Sequence, residues 1–226
     1  MSPRSITRYL SVVIMLASVV AGLYWTVDGN EWTHGWAFLA LFAIYANVLA
    51  IWLVKTRPDL YVERRSMAEN IEPWDFWVVR FHGFLLLSIL FVAALDSGRF
   101  KWSTIPVIVQ VASWLGLLLV AVLIWHLMAV NDFLSSWVRI QDDRNQVVVT
   151  RGAYRFVRHP MYIAIIVSDV FVPLLLVSYW ALIPGLLDIL LIIYRTARED
   201  RTLSLKLAGY REYSAAVRYR LIPGIW

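Results

Sequence analysis

Long apolar stretches alternate with short polar ones along the chain. Six apolar segments can be distinguished, at 6–27, 35–54, 74–95, 105–130, 161–177 and 179–195. Each is near the ~20 residues that a helix needs to cross a bilayer, although the last two are shorter. The pattern predicts an all-α polytopic membrane protein with six transmembrane helices. The first segment is expected to remain as a span, because it is too long for the apolar part of a signal peptide.

The last two segments are predicted to form a C-terminal helical hairpin. Residues 161–194 carry only two charged side chains, Asp169 and Asp188. One helix of that length would be ~50 Å long, too long for a single crossing, whereas two crossings with a reversal near Ser178 fit. The two aspartates are expected to face each other across the hairpin. Four spans over 1–130, followed by a connector, hairpin and tail over 131–226, then make a single membrane domain.

The composition supports a membrane protein and excludes several kinds of site. Sixty per cent of the residues are hydrophobic, and the chain has 12 Trp and 11 Tyr, residues that settle at membrane–water interfaces. The absence of Cys excludes disulfides, Cys-ligated zinc and iron–sulfur clusters. The four His residues are too scattered for a metal site, so no metal is predicted. Membrane topology explains the net charge of +5 without nucleic acid as a partner.

The basic residues predict which side of the membrane each loop faces. If both termini are cytosolic, every Lys and Arg except Arg80, Arg99 and Lys101 falls in an inner loop or tail, or at the inner end of a span. Cytosolic loops of membrane proteins are enriched in Lys and Arg, so we predict cytosolic termini, in the cell inner membrane if the host is bacterial. The inner segments 55–73, 131–160 and 196–226 are also the long ones. The active site is therefore expected at the cytosolic face.

Ionisable residues gather where the hairpin meets this inner face. Arg158 and His159 precede Pro160, and Arg198-Glu199-Asp200-Arg201 follows the hairpin. Pro160 suits the first turn of a helix, whose free N–H groups bind anions. One interpretation makes these charges anchors on lipid phosphates and simple helix salt bridges. The other makes them a ligand site in which Glu199 accepts hydrogen bonds.

Further sequence motifs lie on both sides of this cluster, and together they resemble those of a known protein family. Arg158-His-Pro-Met-Tyr162, then Glu199-Asp200 after the hairpin, then Tyr210-Arg-Glu-Tyr213 and Val217-Arg-Tyr-Arg-Leu-Ile-Pro223 resemble the isoprenylcysteine carboxyl methyltransferase family. The resemblance covers roughly 131–226, whereas 1–130 resemble the family only as a set of spans. Two departures are present. The family's usual Glu-Glu pair is Glu199-Asp200 here, and its Phe-Gly before the tyrosines is Ala208-Gly209.

The resemblance implies an integral-membrane enzyme that uses S-adenosylmethionine and is related to phospholipid N-methyltransferases. Membrane helices would build its cytosolic cofactor pocket, since the chain has no Gly-x-Gly of a Rossmann-type site. The predicted catalytic residues are Arg158, as a cation that holds the acceptor, and Glu199. Candidate acceptor contacts are Asn131, Arg195 and Arg198. The predicted cofactor-binding residues are Val148, Gly152, Ala153, Tyr154, His159, Pro160, Tyr162, Glu199 and Asp200.

The acceptor is predicted to be amphiphilic or lipid-linked, because the site lies at a membrane edge within a shell of spans. Transfer to a carboxylate, such as that of a prenylated cysteine, needs orientation and a cation but no general base. Transfer to an amine or thiol would favour a base, for which Glu199 or Asp200 is the nearest candidate. Phospholipid or small-molecule N- or S-methylation therefore stays open. So do a nicotinamide-dependent reductase on a related scaffold and a non-catalytic membrane scaffold.

Other polar positions carry weaker signals. Arg80 and His82 lie about two turns into the third span. Arg80 is expected either to snorkel to the membrane surface or to contact a substrate. Asp75, at the start of that span, is expected to be merely interfacial.

Overall fold

The computed structural model describes residues 3–27, 32–65 and 70–226, with side chains described from residue 14 onward. Within these ranges all regular structure is helical. A membrane-spanning chain must pair its backbone groups internally, and a helix does this within one segment. The helices are α1 (Pro3–Thr26), α2 (Thr33–Thr56), α3 (Pro58–Arg65), α4 (Pro73–Ala93), α5 (Val107–Val130), α6 (Pro160–Leu175), α7 (Leu182–Lys206) and α8 (Tyr210–Ala216).

Each of the six predicted apolar segments is helical over most of its length; the helices are α1, α2, α4, α5, α6 and α7, and α7 extends past its segment to Lys206. Three helices are long and apolar enough to cross a membrane, namely Thr33–Thr56, Pro73–Phe100 and Val107–Val130. The third continues α4 through a π-helical turn at Ala94–Phe100. Ile14–Thr26 and Pro160–Leu175 are shorter apolar helices. The all-helical fold of the described residues and the presence of apolar helices long enough to span a membrane are therefore confirmed, while the number of spans stays a prediction.

The predicted helical hairpin is present and packs tightly. α6 ends at Leu175 and α7 begins at Leu182, so the chain reverses around Ser178 as expected. Gly185 lets the two helices approach closely, since a Cβ there would lie 2.5 Å from the Asp169 carbonyl oxygen. α6 also packs against α5, and α4 packs against α7. Helices α4, α5, α6 and α7 thus pack together into one bundle.

A buried aspartate joins the hairpin turn to the end of the third span. Asp96, in the π-helical turn, accepts hydrogen bonds from the Ser178 hydroxyl (2.6 Å) and from the hydroxyl (2.6 Å) and backbone N–H (2.9 Å) of Ser103. All of these contacts lie at the end of the bundle opposite Arg158 and Glu199. The turn is held by buried polar groups that the sequence pattern does not reveal.

Polar side chains also meet in the middle of the bundle. Asp188 of α7 is fully buried, and its carboxylate lies 2.7 Å from Nδ1 of His82 on α4. Asp169 of α6 is buried beside Asp188, which confirms that the two aspartates face each other. Charged groups at this depth need partners. Asp188 has one in His82, which ties α4 to the hairpin.

Candidate functional site

Asp200 is the centre of a buried polar cluster at the Arg158 end of the bundle. Its carboxylate accepts hydrogen bonds from Nε of Arg158 (2.7 Å), Nε of Arg220 (2.9 Å) and the Tyr210 hydroxyl (2.8 Å). His159 Nε2 lies 3.3 Å away. Burial raises the pKa of the Asp200 carboxyl, but hydrogen bonds from His159, Arg158 and Arg220 lower it more, and the net shift is downward. Asp200 is therefore a carboxylate near neutral pH.

Arg158 holds the tail of the chain as well as Asp200. Its Nη1 donates to the carbonyl oxygens of Val217 (2.7 Å) and Arg218 (2.8 Å). Its backbone N–H donates to the carbonyl of Tyr219 (2.9 Å). Every side-chain nitrogen of Arg158 thus has a partner within the protein. In this conformation Arg158 positions α7 and the tail, and its predicted contact with an acceptor stays a prediction.

The helix α6 begins at Pro160 as predicted, but the His159 side chain before it faces the carboxylate of Asp200. Pro160 is the first helical residue and His159 precedes it, as the sequence predicts. The His159 ring stacks on Tyr162, with 5.7 Å between ring centroids, and its Nε2 faces Asp200. The carboxylate at His159 therefore belongs to α7. A contact between His159 and a bound ligand stays a proposal, and it would have to form beside the contact between His159 and Asp200.

Glu199 lies beside this cluster with one carboxylate oxygen free. The Tyr162 hydroxyl donates to its Oε2. Its other oxygen has no hydrogen-bond partner within the described residues, and Glu199 is only partly buried. Tyr154, Tyr210 and Arg195 lie close enough to interact with its charge electrostatically. Of the predicted site residues, Glu199 is the carboxylate best placed to accept a hydrogen bond from a ligand.

Arg195 forms an ion pair with Asp75, a residue to which the sequence assigns no role in the site. Its guanidinium makes two hydrogen bonds to Asp75, at 2.8 and 2.9 Å, and lies over the Tyr162 ring at 5.5 Å. Asp75 is fully buried and also accepts the backbone N–H of Val138 at 2.7 Å. The expectation that Asp75 is merely interfacial is wrong, because α7 supplies it with a buried cation. Asp75 thereby joins α4, α7 and the connector.

The connector brings three predicted residues together. Asn131, just after α5, donates its amide to the Tyr154 hydroxyl (2.8 Å). Gly152 has φ +63° and lies against His126, whose Nε2 would be 2.5 Å from a Cβ at Gly152. A side chain at Gly152 would therefore be both strained and obstructed. The connector depends on glycine at this turn.

Buried tyrosines hold the same region. The Tyr213 hydroxyl of α8 donates to the Tyr154 carbonyl oxygen (2.8 Å). Burial raises the pKa of Tyr154, although the hydrogen bond from Asn131 opposes this shift. Burial likewise raises the pKa of Tyr213 to about 12. Both phenols stay protonated in the physiological range; the Tyr213 hydroxyl donates to the connector, whereas the Tyr154 hydroxyl accepts from Asn131.

The remaining predicted connector residues line the same edge. Ala153 is partly buried in the turn Gly152–Arg155, and its carbonyl accepts the N–H of Phe156 (3.1 Å). Val148 is partly buried, and its Cγ2 would lie 3.9 Å from a Cβ at Gly209. The connector thus runs beside α8, within reach of the tyrosine pair.

Arg198 lies apart from the other predicted residues. It is exposed, and its guanidinium lies over the rings of Trp74 (5.0 Å) and Tyr194 (5.9 Å). It borders a surface depression of about 240 Å³. A second depression of about 310 Å³ lies between Phe156 and the tail. Neither includes Glu199 or His159, so the cofactor pocket stays a prediction.

Three residues outside the predicted site contribute to it. Asp75 is expected from the sequence to be interfacial, whereas Tyr210 and Arg220 enter the sequence argument only as members of motifs. The charge of Asp75 at a span start is a usable signal, since a carboxylate there needs a partner if the helix is buried. The contact between Arg220 and Asp200 depends on how the tail folds back, which no local pattern reports.

The sequence comparison agrees with the motif. Residues 113–205 match the model of the Isoprenylcysteine carboxyl methyltransferase (ICMT) family. The match confirms the resemblance over most of α5, the connector, α6 and nearly all of α7, and it encloses Arg158, Glu199 and Asp200. Together with the apolar helices it indicates a membrane methyltransferase. No curated protein sequence matches the chain.

Proposed function

We propose that this chain is a membrane methyltransferase that transfers a methyl group from S-adenosylmethionine to an amphiphilic acceptor, with the carboxylate of a prenylated cysteine as the favoured case. The observation that carries the proposal is the family match over 113–205. Within that region Glu199 keeps a free oxygen beside the buried Asp200 cluster. The same match favours this function over a nicotinamide-dependent reductase or a non-catalytic scaffold.

The chemistry of the residues at this edge fits such a donor. S-adenosylmethionine carries hydroxyl and amine donors, and the free oxygen of Glu199 can accept from them. The Tyr154 and Tyr162 rings lie near the Glu199 carboxylate and can pack against a flat base. The backbone of Gly152 and Ala153 and the side chain of Val148 would complete the connector side. When bound, S-adenosylmethionine would supply a methyl group on a positively charged sulfur.

The protein's own residues would orient the donor and the acceptor and hold the site in shape. Tyr162 fixes the Glu199 carboxylate, and Asp200 fixes the start of α6 and the tail through Arg158. If the acceptor is a carboxylate it is already the nucleophile, so orientation and a nearby cation suffice. Arg158 and Arg195 are internally paired. Of these three arginines, Arg198 has no carboxylate partner in the described part of the chain and is therefore the freest to attract an acidic head group.

The membrane setting supports an acceptor that arrives from the lipid. The catalytic end of the bundle would face the cytosol together with both termini, in keeping with the distribution of Lys and Arg. A water-soluble donor would reach Glu199 from the cytosol, and a lipid-linked acceptor would reach it between helices. A small polar acceptor would not need such a shell of spans.

Donor binding is the first test. Calorimetry on the protein in detergent, titrated with S-adenosylhomocysteine, should give one site per chain without added metal. Glu199→Gln should weaken binding by about tenfold to a hundredfold, because a hydrogen bond to a charged group contributes about 1.5–3 kcal/mol. Glu212→Gln, which alters an exposed glutamate on α8, is the matched control. Folded protein that fails to bind at millimolar ligand would reject the proposal.

Acceptor preference is the second test. Methyl transfer should be compared on a prenylcysteine analogue, a phosphatidylethanolamine and a short polar acid or thiol. Turnover on the prenylcysteine analogue is expected. If only the phosphatidylethanolamine were methylated, the acceptor atom would be nitrogen rather than a carboxylate oxygen. Activity confined to the short soluble compounds would contradict access from the membrane.

A further inference from the structure

A cationic cleft lies between the start of α4 and the last turns of α7. It has a volume of about 240 Å³, and we refer to it as the α4–α7 cleft. Its lining combines three cations, one carboxylate, an aromatic ring and two further side chains. These residues are Arg198, Arg201, Lys206, Glu72, Trp74, Thr202 and Leu205.

Two of its cations have no carboxylate partner. Lys206 is paired with Glu72 at 2.6 Å. Arg198 contacts only aromatic rings, and Arg201 has no ion pair within the described residues. Both arginines are exposed. Because the only carboxylate that lines the cleft is paired with Lys206, the cleft keeps an excess of positive charge that no group in the described part of the chain neutralises.

The outer face of α7 changes character at this cleft. Ile183, Leu187, Leu190 and Tyr194 are all exposed apolar residues at helical spacing along one stripe. The next position of that stripe is Arg198, about 6 Å further along the axis. An apolar stripe that ends in an aromatic ring and then arginine matches the profile of a phospholipid, from acyl chains through the interface to the phosphate.

We propose that the α4–α7 cleft binds the phosphate of an anionic phospholipid head group. The planar guanidinium groups of Arg198 and Arg201 suit phosphate oxygens, and Trp74 would lie at the level of the head groups. The acyl chains would lie along the exposed stripe from Ile183 to Tyr194. That stripe is the reason to assign the site to a lipid rather than to a soluble phosphate. Lipid binding here does not require methyl transfer.

Binding can be measured on the full chain in a neutral detergent. Native mass spectrometry would titrate short-chain phosphatidylglycerol, phosphatidylcholine of the same chain length, and inorganic phosphate. Phosphatidylglycerol should bind clearly more tightly than the other two. Arg198→Gln with Arg201→Gln should weaken phosphatidylglycerol binding on the order of tenfold, since each basic residue near an anionic membrane surface contributes measurably to attraction.

The matched control removes two other exposed arginines at the same end of the protein. Arg155→Gln with Arg218→Gln takes away the same charge outside the α4–α7 cleft. This pair should bind phosphatidylglycerol as the unmodified protein does. If both double variants lost phosphatidylglycerol binding equally, general electrostatic attraction would explain the binding and the proposed site would be wrong. Equal binding of phosphatidylcholine, or of inorganic phosphate, would overturn the assignment to an anionic lipid.

Discussion

Replacing Asp200 with Asn should destabilise the C-terminal half of the protein more than any surface change. Asn keeps the shape of the side chain but removes the charge that Arg158 and Arg220 share. The Arg158 side chain is only 6% exposed, so it would remain buried without a counter-charge. Arg220 is 33% exposed and can turn to water, so its loss matters less. Breaking one side of a buried ion pair typically costs about 3–5 kcal/mol.

The effect should also have a defined pH dependence. The pKa of Asp200 is lowered in the folded protein, so its contribution is fully present above the unfolded value of ~3.9. That contribution is lost only as the pH falls through the still lower folded pKa. The stability difference between the native protein and Asp200→Asn should therefore stay constant from about pH 8 to pH 5. It should shrink only in strongly acidic solution.

Thermal unfolding in detergent measures both features. For a chain of this length 1 kcal/mol shifts the midpoint by about 2–4 °C, so a loss of about 6–20 °C is expected. Asp142→Asn, which changes an exposed aspartate in the connector, should shift the midpoint by less than about 2 °C. A midpoint for Asp200→Asn equal to that of the control would refute the reasoning. So would a difference that already closes between pH 7 and pH 5, because Asp200 would then be protonated near neutrality.

Other perturbations test the packing around the site. Asp75→Asn should also destabilise by about 3–5 kcal/mol in thermal unfolding, because it leaves Arg195 buried and unpaired; a result like that of exposed Asp59→Asn would contradict the pair. Gly185→Ala should destabilise by about 1–3 kcal/mol, since the new Cβ would meet the Asp169 carbonyl at 2.5 Å. Gly83→Ala has open space around its Cβ and should be neutral or slightly stabilising, so similar midpoints for the two alanine variants would rule out the close helix contact.

Hydropathy alone was sufficient to predict where the six long helices lie, whereas the short polar helices α3 and α8 were not predicted. Each apolar segment becomes a helix because a chain in lipid must satisfy its backbone groups internally. Pro160 marks the start of α6 because its missing N–H costs nothing at that position. The reversal at Ser178 follows from length, since one helix over 161–194 would be too long for a single crossing. These are local properties, and local properties can be read from a sequence.

The partners of the charged residues could not be predicted in the same way. Helices α2, α4 and α5 are apolar almost all round, so no stripe shows which face points inward. Asp75 and Arg195 are 120 residues apart, and their pairing depends on how two helices are rotated about their axes. The motif did place Glu199 and Asp200 at one site. It did not show that Asp200 is paired with other residues of the protein, whereas one oxygen of Glu199 has no hydrogen-bond partner in the described part of the chain.

The rotation of α7 connects these observations. Asp188, Arg195 and Asp200 are all buried, and each meets a different part of the protein: His82, Asp75 and the Arg158 cluster. Turning α7 by one residue, about 100°, would unpair all three together. A single buried polar pair is weak evidence for stability, but three on one helix disfavour alternative rotations, because each alternative would leave several buried polar groups without partners. We infer that these pairs fix Glu199 towards Tyr162 and leave Arg198 facing the lipid.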